Sequence, residues 1–344
     1  MATMREVAEL AGVTKQTVSN VVTGRVPVRP ETAARVRSAI EELGYTPNLV
    51  ARSLATGTTK TVGLFVPTVV KPFYSEIVEE VEDVLEQHGY HLLLCTTRLD
   101  GERARRHLTS LSSRSVDALL IAGDSDLIDH LPLLAEARFP VALCAWESEA
   151  PGDFPVVTID YEQAGYLAGR HLRQLGHERV AVLASLPAHA SRVEGFRRAF
   201  ARDGLTVPDT SVFVPSEPTL AGSAAAARAA LAADPAPTAI FATHLSHGVL
   251  EAATQAGLSV PGDLSVIGHD DLQGSWRARK ALTEVVFPKQ EMARQATELL
   301  LRSITERAAP TNSLQMLRPT LIVRESTGPA TGTPAADAGL ATDA

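Results

Sequence analysis

The sequence predicts two kinds of fold in one chain, a small all-α head with a helix-turn-helix and a larger α/β body built on parallel sheets. Three observations carry this. Residues 4–23 form two short amphipathic helical patterns around a glycine; from Val62 onward short apolar runs alternate with amphipathic stretches; and the excess of positive charge is confined to the first 60 residues.

The head explains itself residue by residue. Val7, Ala8 and Ala11 share one face of a first helix, and Val18, Val21 and Val22 one face of a second, so the two faces can pack on each other. Ala8 is small where the helices approach, and Gly12 stands at the turn, where positive φ is needed. Thr14 is placed to cap the second helix, whose outward residues are Lys15, Gln16, Thr17, Ser19 and Asn20. A merely solvated hairpin face is the plainer alternative for such a polar set. A third helix is expected from Pro30, with Glu31 in its first turn, through Val36 and Ile40 to a stop at Gly44. Residues 47–57 follow, too short to hold a helix alone in water.

Length and composition fit this division. At 344 residues and 45% hydrophobic content the chain can fill two or three compact units. No run of 18 apolar residues occurs and the N-terminus is a polar helix, so a soluble cytoplasmic protein is expected. The net charge of −8 hides a partition: residues 1–60 hold eight Lys and Arg against five Asp and Glu, a net +3, leaving −11 on the remainder. Only the head is basic, as a nucleic-acid reader requires. Cys95 and Cys144 each end an apolar run and are read as free core thiols.

In the body, apolar runs at 62–66, 91–95, 117–121, 141–145, 180–184, 238–242 and 264–267 read as strands, with helices at 74–88, 162–175 and 190–203 between them. A run near 156–160 followed by Tyr161-Glu-Gln-Ala-Gly165 opens a second set of units. Ligands in such folds bind at the carboxyl ends of the strands. Residues 327–344 are Ala, Gly, Pro, Thr and Asp almost throughout and are expected to be a disordered tail without leucine heptads.

The helix pair at 4–23, the Pro47-Asn48…Ala51-Arg52…Leu54 segment and the strand Thr61-Val-Gly-Leu-Phe-Val-Pro67 together resemble the lactose repressor and galactose repressor family of bacterial regulators, to about Glu325. The resemblance implies a DNA-binding domain at 1–46, a hinge helix at 47–57 and a two-lobed, periplasmic-binding-protein-like effector and dimerisation domain at 58–326. Its lobes would be 60–158 with 288–317 and 159–287 with 318–326, the chain crossing near 159, 287 and 318. It places base contacts on Lys15, Gln16 and Asn20, whose donors and acceptors suit guanine and adenine edges. Thr14, Thr17 and Ser19 suit phosphates, with Arg25, Arg29 and Tyr45 extending that grip. Leu54 would be the wedge that enters the minor groove at the centre of a palindrome; a core position in the linker helix is the alternative.

For the effector, the resemblance points to Phe73 and Tyr74 after the first strand, to Arg192 in Arg-x-x-Gly-Phe196 and to Asp270 in Gly268-His-Asp-Asp271. Three positions depart from the family pattern: His244-Leu245 in place of Asn-Asp, Ala145-Trp146 in place of Asp-Arg, and Phe287 in place of Gln. The departures imply a ligand with more ring surface than a monosaccharide, such as a glycoside, oligosaccharide or nucleoside, or else a decayed site. Trp146 and Phe287 as core, Arg192 in a surface ion pair and Tyr74 on a helix face are the plainer alternatives. His244 and His247 stand three apart with no third metal ligand evident, so no metal or cofactor is expected.

Enzyme signatures are missing: there is no Gly-x-Gly-x-x-Gly turn, Gly-x-x-x-x-Gly-Lys loop or Gly-x-Ser-x-Gly elbow. The expectation is a homodimeric repressor of carbohydrate-utilisation genes, released from a palindromic DNA operator by a small sugar-like inducer, with no membrane partner. Control by a corepressor such as a nucleoside or base, by a protein partner or by no effector is the alternative. A solute-binding protein is disfavoured by the DNA head and the lack of an export signal.

Overall fold

The computed structural model describes residues 2–24, 26–46, 53, 57–111, 115–123, 131–135, 137, 139–148, 154–269, 282–306 and 313–330. Arg25, most of the hinge including Leu54, Asp270 and residues 331–344 lie outside the described residues.

The head is three helices. α1 (Met4–Leu10) starts at a reciprocal cap in which the Glu6 carboxylate accepts from the Thr3 amide at 2.7 Å while the Thr3 hydroxyl accepts from the Glu6 amide. Gly12 makes the turn at φ +62°. The Thr14 hydroxyl then accepts from the Thr17 amide at 3.1 Å to open α2 (Lys15–Thr23). α3 (Pro30–Glu42) closes the domain over a core of Val7, Ala8, Ala11, Val18, Val36 and Ala39, with Val21, Val22 and Ile40 packed at its margin.

From Thr61 strands and helices alternate. First come β1 (Thr61–Val66), α4 (Pro72–Gln87), β2 (His91–Thr96), α5 (Gly101–Leu111), β3 (Ala118–Ala122), α6 (Leu131–Ala135), β4 (Val141–Cys144) and β5 (Val156–Ile159). Then follow α7 (Tyr161–Gln174), β6 (Val180–Leu183), α8 (Ala190–Ala201), β7 (Val212–Phe213), α9 (Leu220–Leu231), β8 (Ala239–Ala242), α10 (Ser246–Gln255) and β9 (Ser265–His269). The chain ends with β10 (Thr283–Val286), α11 (Lys289–Glu306), β11 (Leu314–Leu317) and β12 (Thr320–Ile322).

Two six-stranded sheets result, ordered β11-β5-β4-β3-β1-β2 and β12-β10-β9-β8-β6-β7. Every pairing in the first is parallel; in the second, β12 runs antiparallel to β10. The chain therefore passes between sheets after β5, after β10 and after β11. The central strands β3, β4, β6 and β8 are buried on both faces, which is why they read as continuous apolar runs. One apolar cluster runs through both lobes, from Val62 and Leu120 in the first to Phe196, Phe241 and Val285 in the second.

The tail begins later than its composition suggests. Residues 327–330 are packed on the second lobe: the Ala330 amide donates to the Leu175 carbonyl at 2.8 Å, and the Gly328 amide to Ser265 Oγ at 3.0 Å. His177, 2% exposed, lies within hydrogen-bonding distance of Thr238, Ser265 and the Gly328 carbonyl. Composition misled here because a buried histidine and backbone bonding, not side-chain apolarity, hold this segment.

α7 and α8 cross with their backbones almost touching. A Cβ at Gly165 would overlap the Arg192 carbonyl, and one at Gly195 the Glu162 carbonyl, so only glycine permits this crossing. We expect Gly165→Ala to cost at least about 3 kcal/mol in urea unfolding, because backbone and not a flexible side chain blocks the methyl group. Loss of less than 1 kcal/mol would show that the helices separate freely.

Candidate nucleic-acid interface and ligand cleft

α2 presents its polar face outward. Lys15 and Gln16 are exposed, Thr17, Ser19 and Asn20 half-buried, and Val18 between them is fully buried in the head core. The Gln16 amide donates to Asn20 Oδ1 at 3.2 Å, which aligns two amide side chains along one edge of the helix. Thr14 and Thr17 hydroxyls are 2.9 Å apart, so part of the Thr14 hydroxyl's capacity is already committed to the cap. Arg29 is exposed at the start of α3, while the Tyr45 ring packs against the head core.

The second group of residues meets between the lobes. Arg192 on α8 is 8% exposed. Its Nε donates to Glu147 Oε1 at 2.9 Å and Oε2 at 3.1 Å, its Nη2 to Glu147 Oε2 at 2.6 Å, and its Nη1 to the Thr243 carbonyl at 2.9 Å. Nη1 also lies 3.1 Å from His269 Nδ1. A guanidinium only donates, so His269 Nδ1 accepts and the imidazole proton sits on Nε2. That Nε2 is buried and has no acceptor among the described residues.

Rings close around this centre. Phe287 stands 4.2 Å from His269, 5.3 Å from Tyr161 and 6.2 Å from Phe73 between ring centroids, and Phe73 is 5.0 Å from Tyr74. The Arg192 guanidinium lies over Tyr161 at 4.8 Å and Phe287 at 5.7 Å. His244 joins through His189, 5.2 Å away. His189 Nδ1 is 2.7 Å from Thr243 Oγ1, and that hydroxyl in turn bonds the Leu183 carbonyl, so His189 carries its proton on Nδ1. Lys289 is buried against Glu76 at 2.9 Å.

Phe73, Tyr74, Arg192, His244 and Phe287 thus come together, and Asp270 lies outside the described residues. Trp146 is different: 2% exposed, it packs with Phe65, Leu119, Leu143 and Phe154 in a separate core of the first lobe. The reason is local. Ala145 takes φ +52°, which turns the backbone at the end of β4 so that Trp146 goes into that core and Glu147 reaches Arg192. Glu147, Tyr161 and His189 are not singled out by the sequence, whereas His269 stands in the Gly268-His-Asp-Asp271 segment at a strand end that fits ligand binding. Glu147 had a signal, an acid directly after the position where the family pattern has Asp-Arg, but choosing it over Glu149 and pairing it with a residue 45 positions away takes the fold. Among the described residues no three His, Cys, Asp or Glu side chains group as metal ligands, and burial pushes the free Cys144 thiol up to about 12.

A helix-turn-helix with an exposed polar recognition face, carried on two lobes that enclose an arginine and rings, defines a DNA-binding regulator that responds to a ligand. The family description "Bacterial regulatory proteins, lacI family" matches residues 3–48, and "Periplasmic binding protein-like domain" matches 170–327. The chain is 34% identical to the HTH-type transcriptional repressor PurR of Haemophilus influenzae over 334 residues, 95% of this chain and 98% of that protein. Its fold resembles a transcriptional regulator CelR–cellobiose complex (TM-score 0.71, 31% identity, 95% and 100% covered) and the lac repressor dimer bound to operator and the anti-inducer ONPF (0.82, 25%, 95% and 99%). The chain belongs to the lacI family and is a DNA-binding transcriptional repressor. No helix among the described residues is long and apolar enough to cross a membrane.

Burial, and then the Arg192 charge, hold His189 and His269 well below the ordinary imidazole value of 6.5; His244 also faces both, with Lys71 acting on His189 and Lys289 on His269. Both rings stay neutral in the fold while the unfolded chain takes up protons below 6.5. Their contribution to stability is therefore intact above that value and lost as pH falls through it. We expect the thermal midpoint to drop between about pH 7.5 and 5.5, more shallowly in His189→Asn; an unchanged slope in that variant would remove His189 from the acid response.

Proposed function

We propose that this protein is a homodimeric repressor that reads a palindromic operator with α2 and is released from it by a small carbohydrate-like inducer bound between the lobes. The single observation that carries the reading is the coexistence of the aligned Gln16–Asn20 amides on an outward helix face with a ring-lined arginine centre shared by both lobes. Lys15, Gln16 and Asn20 contact bases; Thr14, Thr17, Ser19, Arg25, Arg29 and Tyr45 hold phosphates; Leu54 from each hinge wedges into the minor groove. The cellobiose of the CelR complex supports a sugar-like ligand, and stacked rings suit a sugar face. Phe73, Tyr74, Arg192, His244, Asp270 and Phe287 are assigned to that ligand.

Leu93 and Leu94, 37% and 38% exposed on the edge strand β2, support a second copy as partner, since an apolar edge strand rarely stays bare. Anisotropy on a selected palindrome at fixed salt, with sugars, glycosides and nucleosides titrated in, tests the whole reading. Release by one compound, abolished in Arg192→Ala, is the expected outcome; tightening would make the switch a corepressor.

Two substitutions separate reading from grip. Asn20→Ala should cost about 1–3 kcal/mol on the palindrome and leave random-sequence binding unchanged. Leu54→Ala should likewise weaken specific binding far more than non-specific binding, and an equal loss on both would sink the wedge. Leu93→Glu with Leu94→Glu should sediment as a monomer and lose about two orders of magnitude on the palindrome; a dimer of normal affinity would exclude this edge from the interface.

A further inference from the structure

Among the described residues, the centre around Arg192 leaves one buried donor unanswered. Beside the Arg192 guanidinium, the His269 Nε2–H is buried with no acceptor among the described residues, whereas the His189 N–H is already given to Thr243. Glu147 is the only described carboxylate on Arg192, and the Lys289 ammonium is already engaged by Glu76. Glu147 approaches from the first lobe, after β4, and sits on the Nε–Nη2 edge of a second-lobe arginine with both oxygens within 3.1 Å of Nε. That is the fork geometry a free carboxylate adopts on an arginine. Its side chain is 6% exposed and that of Arg192 10%, so this edge cannot exchange its partner for water without leaving a buried charge unpaired.

We propose that Glu147 is an internal stand-in for the effector, and that the effector bears its own carboxylate: a sugar acid, whose carboxylate replaces Glu147 on Arg192 while its ring lies against Tyr161, Phe73 and Phe287. This rests on the reading of the cleft as the effector site and names the ligand class. Exchange of one carboxylate for another leaves Arg192 paired throughout. An uncharged sugar that displaced Glu147 would strip the guanidinium of its counter-charge, and its hydroxyl protons would need acceptors where His269 offers a donor. A neutral polyol that instead bridges Arg192 and Glu147 would use Glu147 as an acceptor, and the two cases respond oppositely to its removal.

The experiment uses the full-length protein, its Glu147→Gln and Glu147→Ala variants and the Glu147→Ala/Arg192→Ala double variant. Propionate, the free-acid counterpart of the whole Glu147 side chain, is added in a thermal-shift series beside propionamide and sodium chloride at equal ionic strength. Saturable stabilisation of Glu147→Ala by propionate alone, absent in the double variant, is expected; equal stabilisation by propionamide, or none beyond salt, overturns the proposal. In calorimetry, glucuronate should bind Glu147→Gln about tenfold more tightly than wild type, with glucose weak on both. Weaker binding of either sugar to Glu147→Gln would make Glu147 a ligand contact and overturn the stand-in role. Glucose 6-phosphate binding in preference to glucuronate would overturn the carboxylate in favour of a phosphate ester. Where no sugar acid binds, the propionate series decides. Operator affinity is read on the same samples: wild type that ignores every palindrome fails the regulator reading, whereas intact operator binding with failed anion arms fails only this proposal.

Discussion

The buried ion pair between Arg192 and Glu147 is the interaction on which the body of this protein turns. It is a polar tie that spans the two lobes, and four of the five guanidinium N–H groups are satisfied by Glu147, the Thr243 carbonyl and His269. Two charges taken out of water stabilise a fold only when their geometry is this complete, and removal of one partner typically costs about 3–5 kcal/mol. The rings of Tyr161 and Phe287 over the guanidinium fill the remaining faces and keep water out. A centre of this kind is stiff while it is paired and unstable when half of it is removed, which is what a two-state element requires.

Its position is set by the glycine crossing of α7 and α8. Because Gly165 and Gly195 let the two backbones meet, the first turn of α8 is driven close against α7, and Arg192 is buried there instead of reaching into solvent. The same constraint places Tyr161, the first residue of α7, under the guanidinium. Backbone strain adds to the arrangement. Ala145 and Leu245 both take φ +52° just past the ends of β4 and β8, one in each lobe, and such left-handed residues cluster where a loop must aim a side chain.

What the sequence makes legible follows from the range of the forces involved. The head is readable almost completely, because capping by Thr14, the Gly12 turn and the Val7, Ala8 and Val18 face all act within a few residues. The buried strands are readable because both their faces are apolar. β7 and β12 escape because they are only two and three residues long, whereas β10 and β11, four residues each like β4, escape because Glu284 and Gln315 interrupt their apolar runs; β11 and β12 also lie at the outer edges of the sheets with exposed residues. The cleft is legible only in part. Arg192, Phe73 and Phe287 stand out by residue type, but the Glu147 and His269 partners lie 45 and 77 positions from Arg192. Trp146 misleads for the opposite reason: a ring suggests a ligand platform, and one positive φ beside it decides which way it faces.

How a change in the cleft reaches the head depends on where the linker is held. Asp117, just before β3, accepts from the Thr59 amide at 2.7 Å, the Thr59 hydroxyl at 2.9 Å and the Lys60 amide at 2.9 Å. Three charge-assisted bonds clamp the start of β1 to the first lobe, so the chain leaves toward the head from a fixed point on that lobe. The Glu147 loop belongs to the same lobe, whereas Arg192 belongs to the other. Any ligand that alters the Glu147–Arg192 tie therefore changes the first lobe relative to the second, and the Asp117 clamp carries that displacement to the linker without slack. A ligand that binds the tied and untied arrangements equally well would bias nothing, since only a difference in affinity between two arrangements shifts a population. The tie lies across the lobes and the clamp lies on one of them, and this division couples a change in the cleft to the linker that leads to the head.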